Sequence, residues 1–312
     1  MNNQIKVLFL KPKLIERPWG GSLIKSNYYP NCNLKNVGEA WTVSGFPGIS
    51  SVIDGGFLDG REFVDIIKEF PDLFNQKYPF FPILTKFLDA RDNLSIQVHP
   101  EPISNNVDRF LGKNECWYVI DCPQNAQIIY GHSFATKEEF RTAIENNTFL
   151  NYIKHKKITP GMLISIPHGT LHALTAGCFV YEIQNTGDIT YRLFDYNRKD
   201  INGVERDLHI EEGLNNLSFN IFNEDYLPEV EIEDTYIVKS LLDSQSFNVK
   251  IIELKKGKYS ITNKPYFNGT VLEGSGFIEG YETKKGDSFV ITKDTKTIKF
   301  EGTMKLIVSY MI

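Results

Sequence analysis

The chain has 312 residues, room for one large or two modest domains, and its 41% hydrophobic and 23% charged content excludes a disordered or collagen-like polypeptide. With 34 Lys and Arg against 39 Asp and Glu, the formal net charge is -5, so no long-range field draws it to nucleic acid or anionic lipid. Cys32, Cys116, Cys122 and Cys178 have no CxxC spacing, and no apolar run approaches the roughly 18 residues that span a bilayer, which points to a cytoplasmic protein with no membrane partner.

In chain order, the apolar run Val7–Leu10 is shorter than a signal-peptide core of roughly 7–15 residues. A helical patch is expected over Gly60–Phe70. Short runs rich in aromatic and β-branched residues then predict strands at Leu94–Val98, Cys116–Asp121, Gln127–Tyr130, Met162–Ile166, Phe179–Ile183 and Thr190–Leu193. A second helix, Thr136–Asn146, starts with Thr136 ahead of Glu138 and Glu139, and Phe140, Ala143 and Ile144 share one face. The acidic, Pro-containing stretch from Asn223-Glu224-Asp225 to Asp234 predicts a domain boundary near residue 235, with a larger unit over 1–235 and a smaller β unit over 236–312.

Three stretches carry chemistry. In the strand before Pro100, Ser95, Gln97 and His99 point to one face while Leu94, Ile96 and Val98 point to the other. An amide and an imidazole at i and i+2 suit a metal, although a solvated polar face is the plain alternative. Gly112-Lys113-Asn114-Glu115 leads into an apolar strand, and a charged pair there is by itself most often solvated. In Pro160–Leu174, Pro167 and Gly169 bend the chain and disfavour reading His168 and His172 as a helical metal pair, so a single ligand, His172, is presented by a turn. Lys86, Asp89 and Arg91 are expected to form a supporting salt-bridge network.

The third stretch resembles the second motif of the cupin superfamily, G-x5-P-x-G-x2-H, at Gly161, Pro167, Gly169 and His172. Gln97-Val98-His99-Pro100, then Gly112-Lys113-Asn114-Glu115, then this turn, then Glu182-Ile183-Gln184 running on to Tyr191-Arg192-Leu193, are together similar to the type I mannose-6-phosphate isomerase family in its short bacterial form. The resemblance covers roughly residues 12–200. Gln97 stands where most cupins have the first histidine of a His-x-His pair. The resemblance implies a mainly β, double-cupin fold, two jelly-roll barrels with short peripheral helices, whose C-terminal copy, without histidine, holds no metal.

It further implies one Zn²⁺ per chain on Gln97, His99, Glu115 and His172, and interconversion of mannose 6-phosphate and fructose 6-phosphate through a cis-enediol(ate). Such a donor set is borderline in softness and leaves room for substrate. Lys113 is the expected proton-transfer group, its pKa lowered by burial and a neighbouring cation. A carboxylate or zinc-bound water is the alternative base. Arg192, permanently charged, is expected to stabilise the enediolate or the phosphate, with Arg198 a second phosphate candidate and Ser95 a substrate contact. The partner is a small sugar phosphate, and the protein a monomer or homodimer. A non-catalytic sugar-phosphate-binding cupin with a regulatory role is the alternative; an iron dioxygenase is disfavoured by Gln97.

Overall fold

The computed structural model describes residues 5–74, 80–101, 112–199, 203–220 and 227–311; the acidic triplet Asn223-Glu224-Asp225 lies outside them. The protein is mainly β, and every strand pair among the described residues is antiparallel. Three large sheets carry it. A six-stranded sheet runs in the order Leu163–Ile166, Glu115–Asp121, Phe179–Asn185, Ile83–Asp89, Val37–Val43, Lys13–Gly21. A five-stranded sheet runs Ile153–Lys157, Gln127–His132, His172–Ala173, Ile96–Val98, Tyr191–Phe194. A nine-stranded sheet takes most of the C-terminal residues together with Val7–Lys11 and Val52–Ile53.

The six-stranded sheet is covered on both faces, which is why Phe179–Asn185, Ile83–Asp89 and Val37–Val43 are buried at every position instead of alternating. On one face Trp117, Val119, Val180 and Leu88 pack with Ile128 and Leu174 from the five-stranded side. On the other, Phe87, Tyr181 and Ile183 join one core with Phe247, Tyr266, Leu272 and Val290 of the C-terminal residues. A file of buried hydroxyls crosses this second interface: Thr42 to Tyr181 at 3.0 Å, Tyr181 to Thr270 at 2.7 Å, Thr270 to Ser288 at 2.8 Å. Val7–Lys11 pairs with Ser288–Ile291, so the start of the chain is woven into the sheet formed by its end.

All six predicted strands are present, with ends shifted by one or two residues. The two predicted helices are found as Phe63–Glu69 and Lys137–Glu145. Thr136 caps the latter by accepting from the Glu139 amide at 3.1 Å, while Glu139 returns a carboxylate to the Ala135 amide. Two further short helices, Leu23–Asn27 and Ile210–Asn216, carry no such local signal.

Candidate metal centre

Strand register decides which side chains meet. In the five-stranded sheet His172 lies opposite Gln97, and Gln97 opposite Arg192, so the three form one row on one face. In the six-stranded sheet Trp41 lies opposite Lys86, Lys86 opposite Glu182, and Glu182 opposite Trp117. This second row is a buried Trp-Lys-Glu-Trp file. Glu115, two residues before Trp117 on the same face, projects from it toward the first row.

The rows converge on His99, Glu115 and His172, all buried, with ligand atoms within 4.8 Å of one another. His172 Nε2 is 3.2 Å from Glu115 Oε1 and His99 Nε2 is 3.5 Å from Glu115 Oε2. Each ring is oriented through its other nitrogen: His99 Nδ1 donates to the Ile189 carbonyl and His172 Nδ1 to the Thr170 carbonyl, both at 2.9 Å. Both Nε2 lone pairs are thereby turned to the cluster, the tautomer a metal ligand needs. Burial first, then the Lys113 charge, pushes the His99 pKa down to about 4, so its ring is neutral at neutral pH. Glu115 is held ionised, well below the usual carboxylate range. Burial opposes this, but the Lys113 charge foremost prevails.

Among the described residues, His99 Nε2 and Glu115 Oε1 are buried without a hydrogen-bond partner, while Glu115 Oε2 has the Lys113 ammonium beside it. Orphaned acceptors facing one another at the centre of a protein are costly unless something positive lies between them. Two imidazoles and a carboxylate suit a divalent cation, and the cluster can hold one. Gln97, half-buried, joins it through its amide, whose Nε2 donates to His172 Nε2 at 3.3 Å.

Lys113 Nζ stands 2.9 Å from Glu115 Oε2 and 3.7 Å from Glu182 Oε1. The sequence led us to expect a lysine with a lowered pKa; the structure reverses this. Burial does push it down, but Glu115, then Glu182 and Asp188, outweigh burial and hold the ammonium charged above its ordinary range. Glu182, which the sequence reading did not assign to the site, also contacts Lys86 at 3.4 Å and accepts from the Trp117 indole at 2.9 Å. Burial, followed by the Glu115 charge, raises its pKa. The sequence marks Glu182 only as part of a motif, with no role attached. The expected Lys86, Asp89 and Arg91 network is not formed: Lys86 joins Glu182 and Asp188, Asp89 caps the Leu23–Asn27 helix, and Arg91 sits exposed against Asp92 and the Pro18 carbonyl.

Arg192 is half-buried and donates through Nη1 to the Asp207 carbonyl at 2.7 Å. Burial, then the Arg206 charge, lowers its pKa from the ordinary arginine value. Arg198 is held by Asp195 and the Asn93 carbonyl, both at 2.6 Å, and Arg206 grips the same Asp195 with Nε at 2.7 Å. Ser95 is buried beside Gln97, its hydroxyl 3.5 Å from the amide oxygen.

Facing antiparallel sheets around an oriented His-Glu-His cluster that could hold a metal define a protein of the cupin type. Residues 7–119 match the family described as phosphomannose isomerase type I, catalytic domain, and residues 237–311 match mannose-6-phosphate isomerase, cupin domain. The probable mannose-6-phosphate isomerase GmuF of Bacillus subtilis is 35% identical over 97% of this chain and 98% of its own length, and the mannose-6-phosphate isomerase of Streptococcus mutans is 33% identical with the same coverage. The crystal structure of mannose 6-phosphate isomerase from Bacillus subtilis superimposes with a TM-score of 0.91 at 32% identity, covering 98% of this chain and all of that one. The chain belongs to the type I mannose-6-phosphate isomerase family, a family of aldose-ketose isomerases. The reading as a regulatory sugar-phosphate binder is not favoured.

Proposed function

We propose that this protein is a zinc-dependent mannose-6-phosphate isomerase, with one Zn²⁺ per chain held by Gln97, His99, Glu115 and His172. The observation that carries the metal is the set of orphaned acceptors on His99 and Glu115. Bound there, the ion would supply Lewis-acid polarisation of substrate oxygens, worth several kcal/mol where negative charge develops.

The reaction moves a proton between C2 and C1 of the open-chain sugar phosphate through a cis-enediol(ate). Lys113 is the proposed proton-transfer residue. Its carboxylate neighbours keep it charged, so it first passes its Nζ proton to Glu182, 3.7 Å away, and the free amine then takes the proton from C2 and returns it to C1. Arg192, on the same row as Gln97, is proposed to stabilise the developing enediolate or the phosphate, with Arg198 and Ser95 as substrate contacts. Burial around Lys113 and Glu115 keeps bulk water from competing for these charges.

We read the fold as two cupin units of jelly-roll form, 1–235 with the metal ligands and 236–312 without them; the match of 237–311 to a cupin domain supports that boundary. The four free cysteines support a cytoplasmic location. Monomer and homodimer are the proposed oligomeric states, which light scattering distinguishes. A coupled assay on mannose 6-phosphate, glucose 6-phosphate and unphosphorylated mannose, with metal analysis alongside, tests the function. Turnover of mannose 6-phosphate alone, about one zinc per chain, and loss of both with a chelator are expected. Turnover of none of the three sugars refutes it.

A further inference from the structure

Cys122 and Cys178 stand apart from the site and from any role proposed above. The strands Glu115–Asp121 and Phe179–Asn185 are paired out to Phe179 opposite Asp121, after a register shift between Val180 and Phe179, and Cys178 and Cys122 are the residues next beyond that pair. The next step is also close, because a Cβ on Gly177 would stand 2.7 Å from Cγ of Pro123. Neither backbone is spent on the other: the Cys122 amide donates to the Asp121 carboxylate, the Cys178 amide to the Thr175 carbonyl, and the Cys178 carbonyl accepts from Ala90. Opposed residues of an antiparallel pair have Cα atoms about 4.5–5.5 Å apart, inside the window a disulfide spans.

Both side chains point the same way. Cys178 is fully buried in the cluster of Trp117, Val119 and Val180, and Cys122, half-buried, packs against that cluster from its rim. One thiol is therefore reachable from solvent and the other waits behind it, the order that thiol-disulfide exchange requires. Burial holds both thiols above the ordinary thiol range, so the exchange starts from a small thiolate fraction.

We propose that Cys122 and Cys178 form a reversible cross-strand disulfide when the protein meets a low-molecular-weight disulfide such as oxidised glutathione. The Cys122 thiolate attacks one sulfur of the reagent, forming a mixed disulfide and releasing one glutathione thiolate. The Cys178 thiolate then attacks Cys122 Sγ, the S–S bond to glutathione breaks, and a second glutathione leaves. Two protein thiols are oxidised, one glutathione disulfide is reduced to two thiols, and the two protons pass to the leaving thiolates. The bond fastens the outer ends of the strands whose other residues include Glu115 and Glu182, closing a loop that the unfolded chain would otherwise leave open.

The test uses the full-length, metal-loaded protein incubated with oxidised glutathione, then denatured for thiol titration and digested without reductant for mass spectrometry. Titratable thiols are expected to fall from four to two, with one linked peptide joining Cys122 to Cys178, an upward shift of the thermal midpoint, and full reversal by reductant. Cys178→Ala should stop at a stable glutathione adduct on Cys122, and Cys122→Ser should leave Cys178 unreacted. Four thiols remaining, a persistent Cys122 adduct in the unsubstituted protein, a linked peptide between other cysteines, or a cross-link that lowers the midpoint overturns the proposal. The unsubstituted protein decides the matter even where a variant fails to fold.

Discussion

Arg192 shows how the site separates binding from architecture. Its guanidinium is half-buried and anchored by a single main-chain acceptor, and its Nε has no partner among the described residues. Arg192→Ala should therefore lower turnover by on the order of 100-fold or more, the scale of a lost charge stabiliser, while the thermal midpoint stays close to the parent's. Calorimetry beside the coupled assay checks this, and unchanged activity would remove Arg192 from the reaction. Asp195 is the opposite case, since it braces Arg198 and Arg206. Burial pushes its pKa up, but hydrogen bonds from Arg206 and Arg198 prevail and hold it below the ordinary aspartate value. A carboxylate with a lowered folded-state pKa contributes stability above its unfolded value, about 3.9, and loses that contribution as pH falls through the folded value. Asp195→Asn should consequently be less stable than the parent at pH 7, with the gap narrowing below about pH 4. Urea midpoints across that range test it; a gap that widens on acidification contradicts the assignment. Of these residues the sequence marked Arg192 and Arg198, because a family motif carries them. It was silent on Arg206 and Asp195 as partners, whose meeting depends on how the chain folds back.

At the scale of elements, what could be read in advance is what is local. Thr136 and Glu139 announce their helix within four residues, and the cap is formed. Thr136→Ala should cost about 1 kcal/mol of stability, measurable by denaturant titration with unchanged activity; a loss of activity without a loss of stability would show the helix doing more than covering the core. The helix Leu23–Asn27 was not foreseeable, because its first amides are satisfied by the Asp89 carboxylate from a strand more than sixty residues away. The Trp41, Lys86, Glu182, Trp117 row was hidden for the same reason. Each member is unremarkable in its own strand, and only the register of four neighbouring strands lines them up. Gln97, His99 and His172 could be singled out as candidates because Gln-x-His and the Pro-x-Gly-x2-His turn are local motifs. The charge state of Lys113 was not, because it depends on Glu182 and Asp188, distant in sequence.

For the whole molecule, the six-stranded sheet is the common wall, with the candidate site on one side and the C-terminal residues on the other. Tyr181 is the polar fastening across the second side, bonded to both Thr42 and Thr270. Tyr181→Phe removes two buried hydrogen bonds while Thr42 keeps Thr85 and Thr270 keeps Ser288, and should destabilise the fold by about 1 kcal/mol, with unfolding still occurring in one transition by fluorescence and circular dichroism. Two separated transitions would mean that the two sides are held together chiefly by this fastening.

The strand Val7–Lys11 sets a timetable for folding. Leu10 and Lys11 pair early with Val52–Ile53, but the other edge of the strand waits for Ser288–Ile291, about 280 residues later. Until then the early strand has an unmet ladder of amides and carbonyls, an edge open to pairing with a neighbouring nascent chain. The later strand is thus what closes the earlier one, and a chain cut before Ser288 leaves that edge of Val7–Lys11 without its ladder.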